Sequence, residues 1–193
     1  MTKRILIILG HPARAHQSFS EALAVAYQTG AKGAGHEVKL VSIAQLNFDP
    51  ILHEGYQGNQ SPEVDIVDAQ QKVRWAEHMV FIYPMWEYMI PALLKGFLER
   101  TFTPDFAYAA KSNNSFKRGL LGGKSARIIQ TTGMPSLAYR VLYQAHGVKA
   151  FKSMLKFCGI APVRITYFGS IDESDAKRKT YLEKTLALGQ AGV

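Results

Sequence analysis

Short apolar runs recur at residues 4–9, 38–43, 79–83, 126–131 and 163–168. The runs at 4–9 and 79–83 are nearly continuous rather than alternating, as strands covered on both faces should be. Between the runs, apolar residues return at helical spacing. Phe19, Leu23 and Tyr27 mark one helix, opened by Ser18 with Glu21 three residues on, a capping-box spacing, and closed by Gly33 and Gly35. Pro91 is placed as a first-turn proline for a helix to about Arg100, with Leu94, Phe97 and Leu98 inward. Gly96 interrupts that helix and predicts a close approach by another segment. Val148, Phe151, Leu155 and Cys158 form the stripe of the next helix, with Lys149, Lys152 and Lys156 one position further round. A last helix is expected from a second capping-box spacing at Ser170 and Glu173, and carries Leu182 and Leu186. Strand then helix, five times over, predicts an α/β fold: a five-stranded parallel sheet with helices on both faces.

Composition narrows the class. The 193 residues are 47% apolar and 20% charged, within the range of one globular domain, and nothing in the composition divides residues 1–193. The apolar run at 5–9 is too short for a signal peptide, and the run at 79–86 stops at Glu87, well below the ~20 residues of a membrane-spanning helix. Cys158 is the only cysteine, so no internal disulfide can form. A soluble, cytoplasmic protein is expected.

The net charge of +8 is concentrated in the second half, with −1 over residues 1–100 and +9 over 101–193. Between Phe106 and Ile171 there are ten Lys/Arg and no Asp or Glu, a field that attracts anions such as phosphates. Nucleic acid is not the expected partner. The basic residues are scattered, no zinc-ligand spacing is present, and aromatics do not alternate with the charges.

In doubly wound sheets ligands bind beyond the carboxyl ends of the strands, which singles out three loops. The first, 10–18, leads from a buried strand to a capped helix; Ser18, Ser20, Arg14, His11 and His16 surround a helix N-terminus suited to phosphate. It lacks both the G-x-G-x-x-G and the G-x-x-x-x-G-K-[ST] pattern, and its histidines lack partners for a metal site. The second, 83–91, sets Tyr83, Trp86 and Tyr88 between Pro84 and Pro91, together with Met85 and Glu87, as a wall for a planar ligand. The third, 131–139, brings Thr131, Thr132, Gly133 and Tyr139 to the same edge, with His146 seven residues on. If one early-starting helix carries Tyr139 and His146, they share a face as proton donor and charge stabiliser.

These loops, together with the segment Phe106-Ala107-Tyr108, resemble the NAD(P)H:quinone oxidoreductase (DT-diaphorase-like) family of flavodoxin-like flavoproteins, over residues 4 to 170. The specific pieces are His11-Pro12 with Ser18-Phe19, Pro84 with 91–96, Phe106-Ala107-Tyr108, and Thr131-Thr132-Gly133. The resemblance implies a sheet of order 2-1-3-4-5 and a flavin, FAD or FMN, one per subunit. Its phosphate would lie at His11, Ser18, Phe19 and Ser20. Its ring would lie against Pro84, Met85, Trp86, Glu87 and Tyr88, with its pyrimidine side at Thr131, Thr132 and Gly133. Tyr139 and His146 would be the catalytic pair. Tyr108 would line the substrate pocket across the interface of a homodimer.

The implied reaction is two-electron hydride transfer from NAD(P)H, through flavin N5, to a quinone-like acceptor. The alternative within the same resemblance is a flavin-binding ancillary subunit of a glutathione-gated potassium efflux system. A flavodoxin-type electron carrier fits less well, because such proteins are usually acidic.

Overall fold

A computed structural model describes residues 1–13, 18–58, 60–110 and 119–193. Strands β1 (Arg4–Leu9), β2 (Glu37–Ser42), β3 (His78–Pro84), β4 (Ser125–Thr131) and β5 (Val163–Phe168) form one sheet of order β2-β1-β3-β4-β5, and every neighbouring pair is parallel. The chain therefore winds outward in both directions from β1 and β3. All but the first residue of β1, and all but the last of β3, are buried, which is why both read as unbroken apolar runs.

Helices α1 (Phe19–Gly33) and α6 (Asp175–Gln190) cover one face, where Ile5, Ile7, Leu23, Tyr27, Val80 and Ile129 form a core. Helices α2 (Val64–Trp75), α3 (Ala92–Thr101) and α5 (His146–Phe157) cover the other, over Leu6, Ile8, Phe81, Phe97, Ile128 and Phe151. A short helix, α4 (Ser136–Val141), stands above the carboxyl end of β4. The expected close approach at Gly96 is present: a Cβ there would lie 2.5 Å from the Pro50 carbonyl oxygen.

Three expectations shift. Pro91 caps α3 from outside its first turn. The last helix starts at Asp175, because Ser174 rather than Ser170 is its cap, its Oγ accepting from Lys177 N at 3.3 Å. Ser170 instead takes a left-handed conformation (φ 51°) and its carbonyl accepts from Glu173 N, closing a separate turn. The single helix expected to carry Tyr139 and His146 is in fact two, α4 and α5. Among the described residues, no helix is long and apolar enough to cross a membrane.

Candidate active site

The first loop leaves β1 as an extension of the sheet, with Gly10 N donating to Ile82 O at 2.8 Å. A side chain at Gly10 would collide with Leu94 Cδ2 (2.7 Å) and Tyr83 Cβ (3.0 Å), so glycine lets β1, β3 and α3 close together beneath the site. His11 Nδ1 accepts from Ala13 N at 3.1 Å, which leaves Nε2 to carry the proton in the neutral ring. Burial lowers its pKa against a smaller opposing pull from Glu21. His11 thus presents an N–H donor. Arg14 and His16 lie outside the described residues. Ser18 is the N-cap of α1, its Oγ accepting from Glu21 N at 3.1 Å. Its own hydroxyl proton remains for a ligand beside the first-turn N–H groups. Phe19 is half-buried against the α1–α6 core and Ser20 is buried.

The second loop is tied to β4 by Met85 N donating to Thr131 O at 2.7 Å. It then folds back sharply. Trp86 N donates to Met89 O (3.1 Å) and Met89 N to Trp86 O (2.8 Å), while Glu87 (φ 47°) and Tyr88 (φ 61°) are both left-handed. This is type I′ hairpin geometry built without glycine, a conformation that costs about 1–2 kcal/mol per residue and persists only when the surroundings hold it. Two contacts hold it. Tyr139 donates its hydroxyl to Tyr88 O at 3.2 Å, and Gly147 lets α5 approach so closely that a Cβ would stand 2.3 Å from that same oxygen. The turn keeps Trp86 (46%) and Tyr88 (42%) exposed, so they are a wall rather than core filling. Trp86 meets His11 edge to face, ring centroids 5.8 Å apart, bringing the first two loops together.

The third loop lies at the adjoining strand end. Thr132 N donates to Phe168 O (2.9 Å) and Thr132 Oγ1 accepts from Met134 N (3.3 Å). Gly133 is exposed, with Asp172 Oδ2 3.2 Å from where a Cβ would stand. Thr131 Oγ1 is buried without a hydrogen-bond partner. Tyr139 and His146 do not share a helical face. After α4 ends, Gln144 (φ 51°) and Ala145 (φ 50°) turn the chain left-handed before His146 opens α5. Tyr139 is wholly buried and His146 is exposed.

Below the second loop, α3 and α5 flank a cleft of about 680 Å³ lined by Trp86, Glu87, Met89, Tyr108, Met154 and Phe157, among others. Tyr108 stacks obliquely on Phe157, centroids 5.0 Å apart. The structure therefore brings Tyr108 together with Trp86 and Glu87.

The profile of the flavodoxin-like fold family matches residues 3–188. An uncharacterized NAD(P)H oxidoreductase from Haemophilus influenzae is 31% identical over 193 residues, covering 96% of this chain and 94% of that one. NAD(P)H dehydrogenase [quinone] 1 from Cavia porcellus is 30% identical, over 86% of this chain and 68% of its own. A solved Streptococcus mutans structure superposes with a TM-score of 0.78 at 34% identity, covering 97% of this chain and 98% of its own.

The chain belongs to the NAD(P)H:quinone oxidoreductase family of flavodoxin-like proteins.

The rim fits the flavin of this oxidoreductase family on its own chemistry. It offers half-exposed aromatics beside a neutral imidazole donor, the buried, unpartnered Thr131 Oγ1, and the capped start of α1. Met154 and Phe157 lie off the α5 stripe of Val148, Phe151, Leu155 and Cys158, and their apolar character away from that stripe is the sequence signal for the cleft. Cys158, though beside the cleft, is unsuited to redox duty, since burial pushes its thiol up to about 11.

Proposed function

We propose that the protein is a flavin-dependent NAD(P)H dehydrogenase (quinone) whose residues 1–193 act as one flavin-binding domain in the cytoplasm. The observation that carries this reading is the convergence of His11, Trp86 and the Thr131–Gly133 segment at one edge of the sheet. A bound flavin, FMN or FAD, supplies hydride acceptance from NAD(P)H and hydride donation to a quinone-like acceptor.

The chain's own part is positioning and charge control. Ser18, Phe19, Ser20 and the first-turn N–H groups of α1 hold the phosphate, and His11 donates from Nε2. Pro84, Met85, Trp86, Glu87 and Tyr88 set the plane of the ring. Thr131 Oγ1, Thr132 and Gly133 present polar groups where negative charge develops on reduction. Tyr139 acts beneath Tyr88, and His146 contributes a proton from the exposed start of α5. Tyr108, Trp86 and Glu87 frame the space that NAD(P)H and acceptor occupy in turn. A second copy packing over the apolar cleft between α3 and α5 completes the pocket, a reading supported by the exposure of Trp86, Met89 and Phe157 there.

The test is the absorbance spectrum of purified protein, with the released cofactor identified by mass. Under argon, NADH or NADPH should bleach it and a quinone should restore it. A colourless protein that takes up neither FMN nor FAD overturns the reading. Slow turnover alone, with copurification of a potassium transporter, favours the ancillary-subunit alternative.

A further inference from the structure

Helix α4 is inside out for a helix that meets only water. Its tyrosine, Tyr139, is fully buried, whereas Leu137 and Val141, one turn apart, are each 65% exposed, and Leu142 just beyond the helix is 73% exposed. Tyr143 continues the ridge and packs against Tyr88, ring centroids 4.5 Å apart. Apart from the cleft rim at Trp86, Met89 and Phe157, exposed apolar residues such as Val64 and Ile51 are scattered and ordinary. Here four come within seven residues on one protruding element.

Cations lie beside this ridge, Arg140 on α4 itself and Lys149 on α5. Leu137, Val141, Arg140, Lys149 and Tyr167 line one shallow depression of about 330 Å³, with Arg140 lying over the Tyr167 ring at 5.4 Å. Lys152 and Lys156 continue along α5 from Lys149, and residues 106–171 contain no acidic side chain. Apolar side chains flanked by Arg140 and a row of lysines on α5 match a bilayer surface bearing anionic headgroups. There the cations stay with the headgroups and the apolar tips enter the acyl boundary. A second copy is the poorer match. A two-fold contact through this face would set Arg140 and Lys149 against their own copies with no carboxylate of this segment to separate them.

We propose that the α4 ridge, Leu137, Val141, Leu142 and Tyr143 with Arg140 and Lys149, docks the protein reversibly on anionic lipid bilayers. Tyr88, in the wall of the candidate active site, touches Tyr143 of this ridge, so docking would place the site's rim beside the membrane, where acceptors with long apolar tails reside. The lipid contact itself does not depend on the redox assignment.

The experiment floats the full, flavin-loaded chain with vesicles of phosphatidylcholine alone and of phosphatidylcholine with phosphatidylglycerol. Binding is expected only to the anionic vesicles, and should fall with added salt and by about fivefold for each basic contact removed, as in Arg140→Gln and Lys149→Gln. Leu142→Glu should lower the bound fraction roughly tenfold or more while melting temperature and flavin absorbance stay unchanged. In Leu142→Trp the added indole should shift its emission to the blue on anionic vesicles and be quenched by brominated lipid. The proposal is overturned if anionic vesicles recruit no protein, or if Leu142→Glu binds as well as the parent, which would mean adsorption by charge alone. It is equally overturned if Leu142→Glu changes the mass measured by light scattering, which would assign the ridge to a contact between copies.

Discussion

The hydroxyl of Tyr139 donates to the main-chain carbonyl of Tyr88 at 3.2 Å, joining the one buried side chain of α4 to the strained turn that forms the aromatic wall. Removing it as Tyr139→Phe leaves the ring in place and the carbonyl unpaired. Stability should fall by about 1 kcal/mol. Turnover should fall by about a hundredfold to ten-thousandfold, the range of acid–base help. Flavin should stay bound, as measured by its absorbance in the same sample. Unchanged turnover would remove Tyr139 from the mechanism and leave it a structural tie.

Gly147 serves the same carbonyl from below. In Gly147→Ala the new methyl would stand 2.3 Å from Tyr88 O and 3.0 Å from Met89 Cα, so α5 and the turn must separate. The expected loss is about 1–3 kcal/mol, read by denaturant unfolding, with weaker flavin affinity by equilibrium dialysis.

Glu87 occupies a left-handed position that asparagine tolerates better. Glu87→Asn should therefore raise stability by about 0.5–1 kcal/mol. It also removes a carboxylate from the cleft, so KM for the anionic NAD(P)H should fall. A rise in KM would show that Glu87 contacts the substrate directly.

His78 opens β3 with Nδ1 2.8 Å from Ser125 Oγ and Nε2 buried without a partner. Burial, aided by Lys3, Arg127, Arg164 and His36, lowers its pKa to about 3. The unfolded chain takes up this proton below about 6.5 and the folded chain does not. The stabilising contribution is present above pH 6.5 and is lost as pH falls from there towards about 3, at about 1.4 kcal/mol per pH unit. His78→Gln should flatten that slope in urea unfolding across this window.

The excess of cations in the second half should draw in the phosphates of NAD(P)H. KM for NAD(P)H is expected to rise with ionic strength. A flat response in steady-state kinetics would mean that these charges face something other than the substrate.

The five strands and the positions of the three loops beyond them are legible in the chain because both follow from local rules. Burial on both faces makes β1 and β3 continuously apolar, and a capped helix must begin at Ser18. Gly96 announced its close neighbour for the same reason, since only a packing demand keeps glycine inside a helix. Tyr139 and His146 are the exception, standing on two helices instead of one. Their spacing permits one helix, and nothing local foretells that Gln144 and Ala145, neither of them glycine, turn left-handed. Nor does the local sequence foretell the left-handed turn at Glu87 and Tyr88 that aims their side chains.

Strand count, the parallel fold and the capped start of α1 are properties of periodicity and capping, which short stretches of chain specify alone. The tie between Tyr139 and Tyr88, the approach of Gly147 and the outward ridge of α4 arise where segments distant in sequence press together. Such contacts hold backbone conformations that each segment would otherwise abandon, so they appear only once the sheet has closed.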